Sequence, residues 1–413
     1  MTGRRMAAVD AQFYWMSAKI PSDEFLLYAF AGVPADLDSA IAEVLDRARL
    51  SPDLMMRVQD AGPLAYPRWV PAVGHLTAVR HRPADRTWTG CLDAVVSLAD
   101  DQLDIRDAPW RLHTFAPVYD IPGAAGAGTV VVVQVAHALA DGTRASALAG
   151  WMFGRAAPVS SVAASQRGWL PARAFTAARA HRKQVADTRA GLLPPPTGDR
   201  PALVTNTRPA GTRTVRTLVL RRDELPGPTV TVGVLNAVSS ALSEHLGERS
   251  ESLGAEVPMA KAGVRLANNH FTNIRVGLYP QLKPRQRAER IAADIADGRC
   301  RIGHPAATAA DRAFATVPAA LLRWGIGKFD ADARPVRVAG NTVVSSVHRG
   351  PADLTFGDAP VLLTAGFPAL SPAMALTHGV HGIGDTVAIT VHVAESAIRD
   401  VDEYLHQLAA ALV

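Results

Sequence analysis

The sequence has only two cysteines among its 413 residues, Cys91 and Cys300. They lie far apart and match neither a metal-binding nor a redox spacing, which excludes a disulfide framework and a cysteine-based metal site. So few thiols are typical of a protein from a reducing compartment, and we therefore expect a cytoplasmic location.

Long hydrophobic segments are also lacking. The residues before Asp10 include basic side chains but no apolar stretch, so no secretory signal is expected. Residues 121–140 carry no formal charge and have the length of a membrane span. However, Pro122, several glycines, Gln134 and His137 interrupt this segment. A turn followed by a buried strand explains it better than a transmembrane helix.

Aromatic residues make up 6% of the chain and charged residues 20%, with a net charge of +5. Residues 155–200 contain eight Lys or Arg against two Asp, so this segment alone exceeds the net charge of the whole chain. Aromatic residues do not alternate with the basic ones there, and we expect no nucleic-acid partner. The segment is either a solvated basic helix or a surface for anionic lipid or phosphate groups.

Several catalytic motifs are absent. The chain has no G-x-S-x-G, no Walker loop and no H-E-x-x-H, which argues against the hydrolases, nucleotidases and zinc peptidases that carry them. His378 and His381, in THGVHGIGD, have a spacing that could hold a metal. The Gly-Ile-Gly-Asp that follows is typical of a hairpin turn between two strands, so no metal site is expected.

The order of elements predicts an α/β protein with two subdomains. Helices are expected over 36–49, soon after Gly142, over 172–189, 232–246 and 398–412, and strands over 129–135, 212–220, 273–278, 341–347, 361–364, 376–380 and 386–393. Three consecutive prolines near residue 195 end the basic segment. We therefore predict an N-terminal subdomain over 1–154, a basic crossover over 155–200 and a C-terminal subdomain over 201–413.

The most informative stretch is VVVVQVAHALADGTRAS, in which His137 directly follows a strand of β-branched residues. Asp141 and Gly142 follow shortly before a predicted helix, so His137 lies in a strand-to-helix connection. A lone histidine beside a valine run is usually a buried core residue. The Asp-Gly pair at this offset favours a base instead, because imidazole near neutrality can take a proton from a hydroxyl or an amine.

Five segments carry a resemblance to a known family. AHALADG resembles the HHxxxDG motif of the condensation-domain acyltransferases, which are related in fold to chloramphenicol acetyltransferase. AVDAQFYWM, LDIRDAPWRLHTF, NNHFTNIRVGL and VVSSVHRGP resemble, in this order, further segments of the bacterial wax ester synthase/diacylglycerol acyltransferase (WS/DGAT) family. The matches extend over nearly the whole chain, and together they are fairly specific.

The resemblance implies two similar subdomains with a substrate channel between them. His137 would deprotonate the hydroxyl of a fatty alcohol or a diacylglycerol, and the oxygen would attack the thioester of an acyl-CoA directly. Asp141 would hold the loop, and Gly142 would keep space near the thioester. By the same resemblance Ala136, Asn273, Ser345 and Ser346 would contact substrate. Acyl-CoA would be a substrate rather than a cofactor, and the basic segment 155–200 could receive its phosphates.

Three departures leave alternatives open. Ala136 replaces the first histidine of the motif, Thr231-Val232 replaces an Asn-Asp pair, and His348-Arg349 stands within the Ser-Asn-Val-Pro-Gly-Pro segment. The main expectation is a lipid-ester-forming acyltransferase at a membrane or lipid-droplet surface. The alternatives are transfer to a polyketide or glycolipid acceptor, with a carrier-bound donor as one option, and a catalytically idle lipid-binding protein. The sequence does not indicate an oligomeric state.

Overall fold

A computed structural model describes residues 3–72, 76–163, 168–247 and 252–412. The helices in this part of the chain are α1 Ala8–Ser17, α2 Leu37–Arg49, α3 Trp88–Ser97, α4 Gly142–Met152, α5 Leu170–Arg189, α6 Val230–Leu246, α7 Pro284–Gly303, α8 Pro305–Phe314, α9 Ala319–Lys328 and α10 Val401–Ala410.

The strands are mostly short and alternate with these helices. They are β1 Arg4–Arg5, β2 Glu24–Phe30, β3 Met56–Gln59, β4 Arg68–Pro71, β5 Ala78–His81, β6 Trp110–Val118, β7 Gly128–Val135, β8 Arg200–Pro201, β9 Arg213–Arg221, β10 Gly254–Ala260, β11 Phe271–Gly277, β12 Arg337–Val338, β13 Thr342–His348, β14 Thr355–Phe356, β15 Ala359–Phe367, β16 Leu376–Ile383 and β17 Thr386–Ala394. Mixed α/β structure in both halves confirms the predicted class.

The first six-stranded sheet has the order β14-β15-β2-β7-β6-β5. Strand β7 lies inside it and all eight of its residues are buried, which explains its valine-rich sequence. It pairs antiparallel with β2 so that Glu24 lies opposite Val135. The chain leaves β7 at Val135, reaches His137 two residues later and begins α4 at Gly142.

The second six-stranded sheet has the order β11-β10-β13-β16-β17-β9. Strand β13 pairs parallel with both β10 and β16, whereas β16 and β17 form an antiparallel hairpin. The turn of this hairpin is at Gly384, whose φ is 54°, as GIGD predicts. Helices α6 and α10 pack on this sheet around a core that includes Leu242, Ile389 and Leu408.

The predicted helices and strands are all present in the described residues, most of them longer than their patterns indicate. The terminal helix is shorter than predicted and begins at Val401 rather than 398, because Asp400 caps it. Strand β15 comes from the second half of the sequence but pairs with β2 in the first sheet. The boundaries 1–154, 155–200 and 201–413 stay a prediction. Strand β15 lies within the predicted C-terminal subdomain in sequence but belongs to the first sheet.

The two sheets meet where β15 lies against β16. A Cβ on Gly379 would collide with the carbonyl oxygen of Gly366, so glycine is required for this close approach. Arg349, which follows β13, is buried beside the same contact and donates to the carbonyl of Ala365 at 3.0 Å. The packing thus holds β16 against β15, the strand that pairs with β2.

None of the described helices, α1 to α10, combines the length and the hydrophobicity that a membrane-spanning helix requires.

Candidate active site

His137 lies in the connection between β7 and α4, and 19% of its side chain is exposed. Its Nδ1 is inaccessible, so Nε2 is the ring nitrogen open to a substrate. The ring stacks on Phe13 of α1 with 4.1 Å between centroids, and it lies nearly parallel to Phe271 of β11 at 5.7 Å. These contacts fix the plane of the imidazole with groups from both halves of the chain.

Burial lowers the pKa of His137, while the carbonyls of His137 and Ala140 and the charge of Asp141 oppose the shift. A lowered pKa keeps the imidazole neutral at physiological pH. A neutral imidazole is the form that can accept a proton from a substrate.

Asp141 has a structural position at the start of α4. Its Oδ1 accepts the backbone N–H of Arg144 at 2.9 Å, which makes it the N-cap of the helix. Its Oδ2 accepts hydrogen bonds from Nη1 of Arg265 at 2.8 Å and from the backbone N–H of His270 at 2.7 Å. Burial favours the protonated acid, but Arg265 and the two backbone donors hold the pKa of Asp141 below its ordinary value.

Two asparagines from the second half hold the backbone of the His137 loop. The side-chain amide of Asn269 donates to the carbonyl of His137 at 2.7 Å, and that of Asn268 to the carbonyl of Ala138 at 3.2 Å. Asp10 of α1 accepts the backbone N–H groups of both asparagines at 2.9 Å. The segments AVDAQF and NNHF therefore meet at the histidine loop, although 250 or more residues separate Asp10 from the asparagines in sequence.

Ala136 is buried in the first core, where its methyl group lies among apolar side chains, and it also lines the cavity described below. Its N–H donates to the carbonyl of Pro109 at 2.9 Å. Gly142 has no steric requirement of its own, since a Cβ there would meet only Cγ2 of Val347 at 3.5 Å, an ordinary contact. The glycine thus leaves open space between α4 and β13.

The other residues predicted to contact substrate, Asn273, Ser345 and Ser346, lie on strands β11 and β13. Asn273 is exposed on β11, two residues beyond Phe271, and its amide donates to Glu256 at 3.1 Å. The hydroxyl of Ser346 lies 2.9 Å from that of Thr231 on α6, so the Thr231-Val232 and Ser345-Ser346 positions are neighbours in space. Because strand residues alternate, Ser345 faces the same side as Val347, toward α4.

A cavity of about 610 Å³ opens beside His137. Its walls come from α1, the loop 102–106 and α9, and they include Phe13, Trp15, Leu103, Arg323 and Ile326. None of the described residues of the basic segment 155–200 is among the residues that line it. Helix α5 of that segment has no buried residue and packs against α8 instead.

His378 and His381 do not form a metal site. Strand β16 places residues three apart on opposite faces, which separates the two side chains. The ring of His378 lies between the hydroxyls of Thr342 and Tyr404, at 2.9 and 3.0 Å. In the described part of the chain, no group of three or more His, Cys, Asp or Glu is placed to hold a metal ion.

Sequence reasoning did not identify four residues that contact or face His137. Phe13 and Asn269 lie within segments that carried the resemblance, and Phe271 belongs to the same NNHF stretch as Asn269. Glu24, whose carboxyl Oε1 lies 3.7 Å from Nε2 of His137, belongs to no motif. Only the pairing of β2 with β7 brings it to this position.

Known proteins with similar sequence or structure belong to acyltransferase and condensation-domain families. Residues 268–413 match the family model of the WS/DGAT C-terminal domain. No curated protein matches the sequence significantly.

Among solved structures, the wax ester synthase/diacylglycerol acyltransferase from Marinobacter aquaeolei VT8 is similar, with a TM-score of 0.63 and 18% identity, over 99% of this chain and 98% of that one. A variant starter condensation domain of rhizomide synthetase RzmA, in complex with C8-CoA and Leu-SNAC, has a TM-score of 0.60 and 13% identity, over 100% and 94% of the two chains. At these identities the likeness concerns the fold. The described residues thus have a fold similar to that of WS/DGAT and condensation domains, and residues 268–413 match the WS/DGAT C-terminal domain model, which confirms the resemblance that the motifs indicate.

Proposed function

We propose that this protein is an acyl-CoA-dependent O-acyltransferase that forms lipid esters, either triacylglycerol or wax ester. The observation that carries the proposal is the position of His137, which lines a cavity of about 610 Å³ and whose pKa is lowered by burial. A cavity of this size holds a small-molecule substrate. The fold, which is similar to that of a WS/DGAT enzyme, and the match to the WS/DGAT C-terminal domain model support acyl transfer as the reaction class.

In the proposed reaction, Nε2 of His137 takes the proton of the acceptor hydroxyl. The oxygen attacks the carbonyl carbon of the acyl thioester, the C–S bond breaks and CoA leaves as the thiol. A base in this role contributes about 10² to 10⁴ in rate. Holding both substrates in one site contributes further by orientation.

The surrounding residues position the base rather than react. Asp141 is bound to Arg265 and to two backbone N–H groups, so its oxygens are occupied. Asn269 fixes the carbonyl of His137, and Phe13 fixes the plane of the ring. Gly142 leaves room beside Val347 for the thioester, and Ser345 faces the same space.

Exposed apolar side chains near the cavity favour binding of the protein to a lipid surface. Helix α9, which contributes Ile326 and Gly327 to the cavity wall, exposes Leu321 and Trp324 by 51% and 63%. Phe329 follows directly and is also exposed. Helix α9 also carries the basic residues Arg323 and Lys328. Exposed apolar side chains together with basic ones are typical of peripheral membrane contact, and we propose that the protein works in the cytoplasm at a membrane or a lipid droplet.

A second candidate is acyl transfer to a non-glyceride acceptor, such as a polyketide or glycolipid, with CoA or a carrier protein as donor. It is supported by the likeness to the RzmA starter condensation domain, whose structure holds C8-CoA and Leu-SNAC. The replacement of the Asn-Asp pair by Thr231-Val232 also favours an altered acceptor, because it puts an apolar side chain in place of an acidic one.

The test is product identification. Purified protein is incubated with isotope-labelled palmitoyl-CoA and an equimolar mixture of hexadecanol, dioleoylglycerol and a glycolipid with free hydroxyl groups, and the labelled products are resolved by mass spectrometry. Labelled wax ester or triacylglycerol supports the first candidate, and labelled acylated glycolipid supports the second. Binding of the acyl-CoA with no transfer to any acceptor would indicate an idle lipid-binding protein instead.

A further inference from the structure

Glu24 is the ionisable side chain that faces the open nitrogen of His137. Its carboxyl Oε1 lies 3.7 Å from Nε2, and the two side chains are similarly buried, with 22% and 19% exposed. Glu24 begins β2 and lies opposite Val135, so the pairing of two buried strands fixes its position. This juxtaposition is a built feature of the sheet rather than a chance contact of two surface groups.

The arrangement differs from that of a carboxylate that orients a catalytic histidine. An orienting carboxylate contacts the ring nitrogen remote from the substrate. Here the remote nitrogen, Nδ1, is buried, and Glu24 faces Nε2. A separation of 3.7 Å is longer than a hydrogen bond, so reacting atoms can approach both groups at once. A reacting group that reaches Nε2 would therefore also lie close to the carboxyl of Glu24.

Burial and two neighbouring carboxylates favour the protonated form of Glu24. Burial has the largest effect, Asp141 and Asp23 add to it, Arg349 opposes it, and the pKa of Glu24 rises to about 8. Burial lowers the pKa of His137. When two neighbouring groups have pKa values pushed apart in this way, the lowered one suits the base and the raised one suits the acid.

We propose that Glu24 is the general acid of this site and protonates the sulfur of the departing CoA while His137 takes the proton of the acceptor hydroxyl. This inference rests on the proposed function. The new C–O bond forms with the electron pair of the acceptor oxygen, and the electron pair of the broken C–S bond stays on sulfur, which receives the Glu24 proton. The imidazolium then returns its proton to the Glu24 carboxylate, so that both groups are restored without exchange with solvent.

The test compares two donors that differ only in the leaving thiol. Palmitoyl-CoA releases an alkyl thiolate that benefits from protonation, whereas the palmitoyl thioester of 4-nitrothiophenol releases a stable aryl thiolate that does not. With the acceptor that the wild type uses, Glu24→Gln and Glu24→Ala should lower kcat for palmitoyl-CoA by about 10²-fold, the lower end of general-acid effects. With the aryl thioester, the kcat of both variants should fall much less. Glu43→Gln, on the outer face of α2, is the control and should keep the wild-type kcat with both donors.

The pH dependence gives a second readout that needs no variant. An acid must be protonated to act, so kcat of the wild type with palmitoyl-CoA should fall as pH rises through about 8, the pKa of Glu24. With the aryl thioester this alkaline fall should be absent. On the acid side, kcat should fall with both donors as pH drops through the lowered pKa of His137, because the base must be neutral.

Equal losses with both donors, or an alkaline fall that persists in Glu24→Gln, would overturn the role of Glu24 while leaving the acyltransferase intact. If the variants do not fold, the donor dependence of the wild-type alkaline fall decides the question alone. A wild-type protein that releases no thiol with any acceptor would overturn the proposed function and this inference with it.

Discussion

Replacing Asp141 by Asn tests whether the buried ion pair with Arg265 holds the histidine loop. The side chains of Asp141 and Arg265 are 6% and 12% exposed, so neither charge is well solvated. Asn keeps the shape and the capping oxygen but removes the charge. Leaving one partner of a buried pair unpaired costs about 3–5 kcal/mol. We expect Asp141→Asn to lower the free energy of unfolding by about 3 kcal/mol, the lower end because the N-cap oxygen is kept.

The matched variant Asp141→Ala also removes the helix cap. It should lower the free energy of unfolding by about 1 kcal/mol more than Asp141→Asn does. Urea unfolding followed by circular dichroism measures both differences, and the double variant with Arg265→Ala gives the coupling between the two side chains. If the free energy of unfolding of Asp141→Asn were within about 0.5 kcal/mol of the wild-type value, the ion pair with Arg265 would not hold the histidine loop.

The pH dependence of this stabilisation has a defined sign. The pKa of Asp141 in the folded protein is below its ordinary value of 3.8. The stabilisation is therefore fully present above that ordinary value and is lost as pH falls through the lower folded value. Below about pH 5 the difference in stability between wild type and Asp141→Asn should shrink as Asp141 of the wild type becomes protonated.

Three further predictions concern the loop and the junction between the sheets. Asn269→Ala should lower kcat for acyl transfer more than it raises KM, because it frees the carbonyl of His137 without touching the cavity wall, and steady-state kinetics would show the split. Ala136→His should lower the free energy of unfolding by about 1–3 kcal/mol, since it buries a polar ring among apolar side chains, and a variant both stable and faster would contradict this. Gly379→Ala should prevent or severely destabilise folding because its Cβ meets the Gly366 carbonyl, whereas Gly126→Ala, in open space, should leave the thermal midpoint nearly unchanged.

Local sequence patterns predict the centre of the site well. The valine run requires a buried strand, Asp141 is a good N-cap, and Gly142 begins a helix with apolar residues at helical spacing. These three features are enough to place His137 in a strand-to-helix connection. The histidine pair at 378 and 381 is likewise explained locally, since the hairpin turn at Gly384 makes its segment a strand.

Long-range partners could not be predicted in the same way. Strand β2 was missed because EFLLYAF is almost continuously apolar and shows neither helical nor alternating periodicity. Without β2, nothing in the sequence brings Glu24 to His137. The strand over 361–364 was expected, but its apolar pattern does not encode a partner, and its pairing with β2 appears only in the tertiary structure.

The central claim, that His137 is the base of an acyl transfer, is tested most directly by thiol release from palmitoyl-CoA. Wild type, His137→Ala and the similarly sized His137→Gln are compared with hexadecanol or dioleoylglycerol as acceptor, and circular dichroism confirms that all three are folded. We expect acceptor-dependent thiol release by the wild type, at a rate that falls by about 10² to 10⁴ in both variants. Full activity in folded His137→Ala would contradict it.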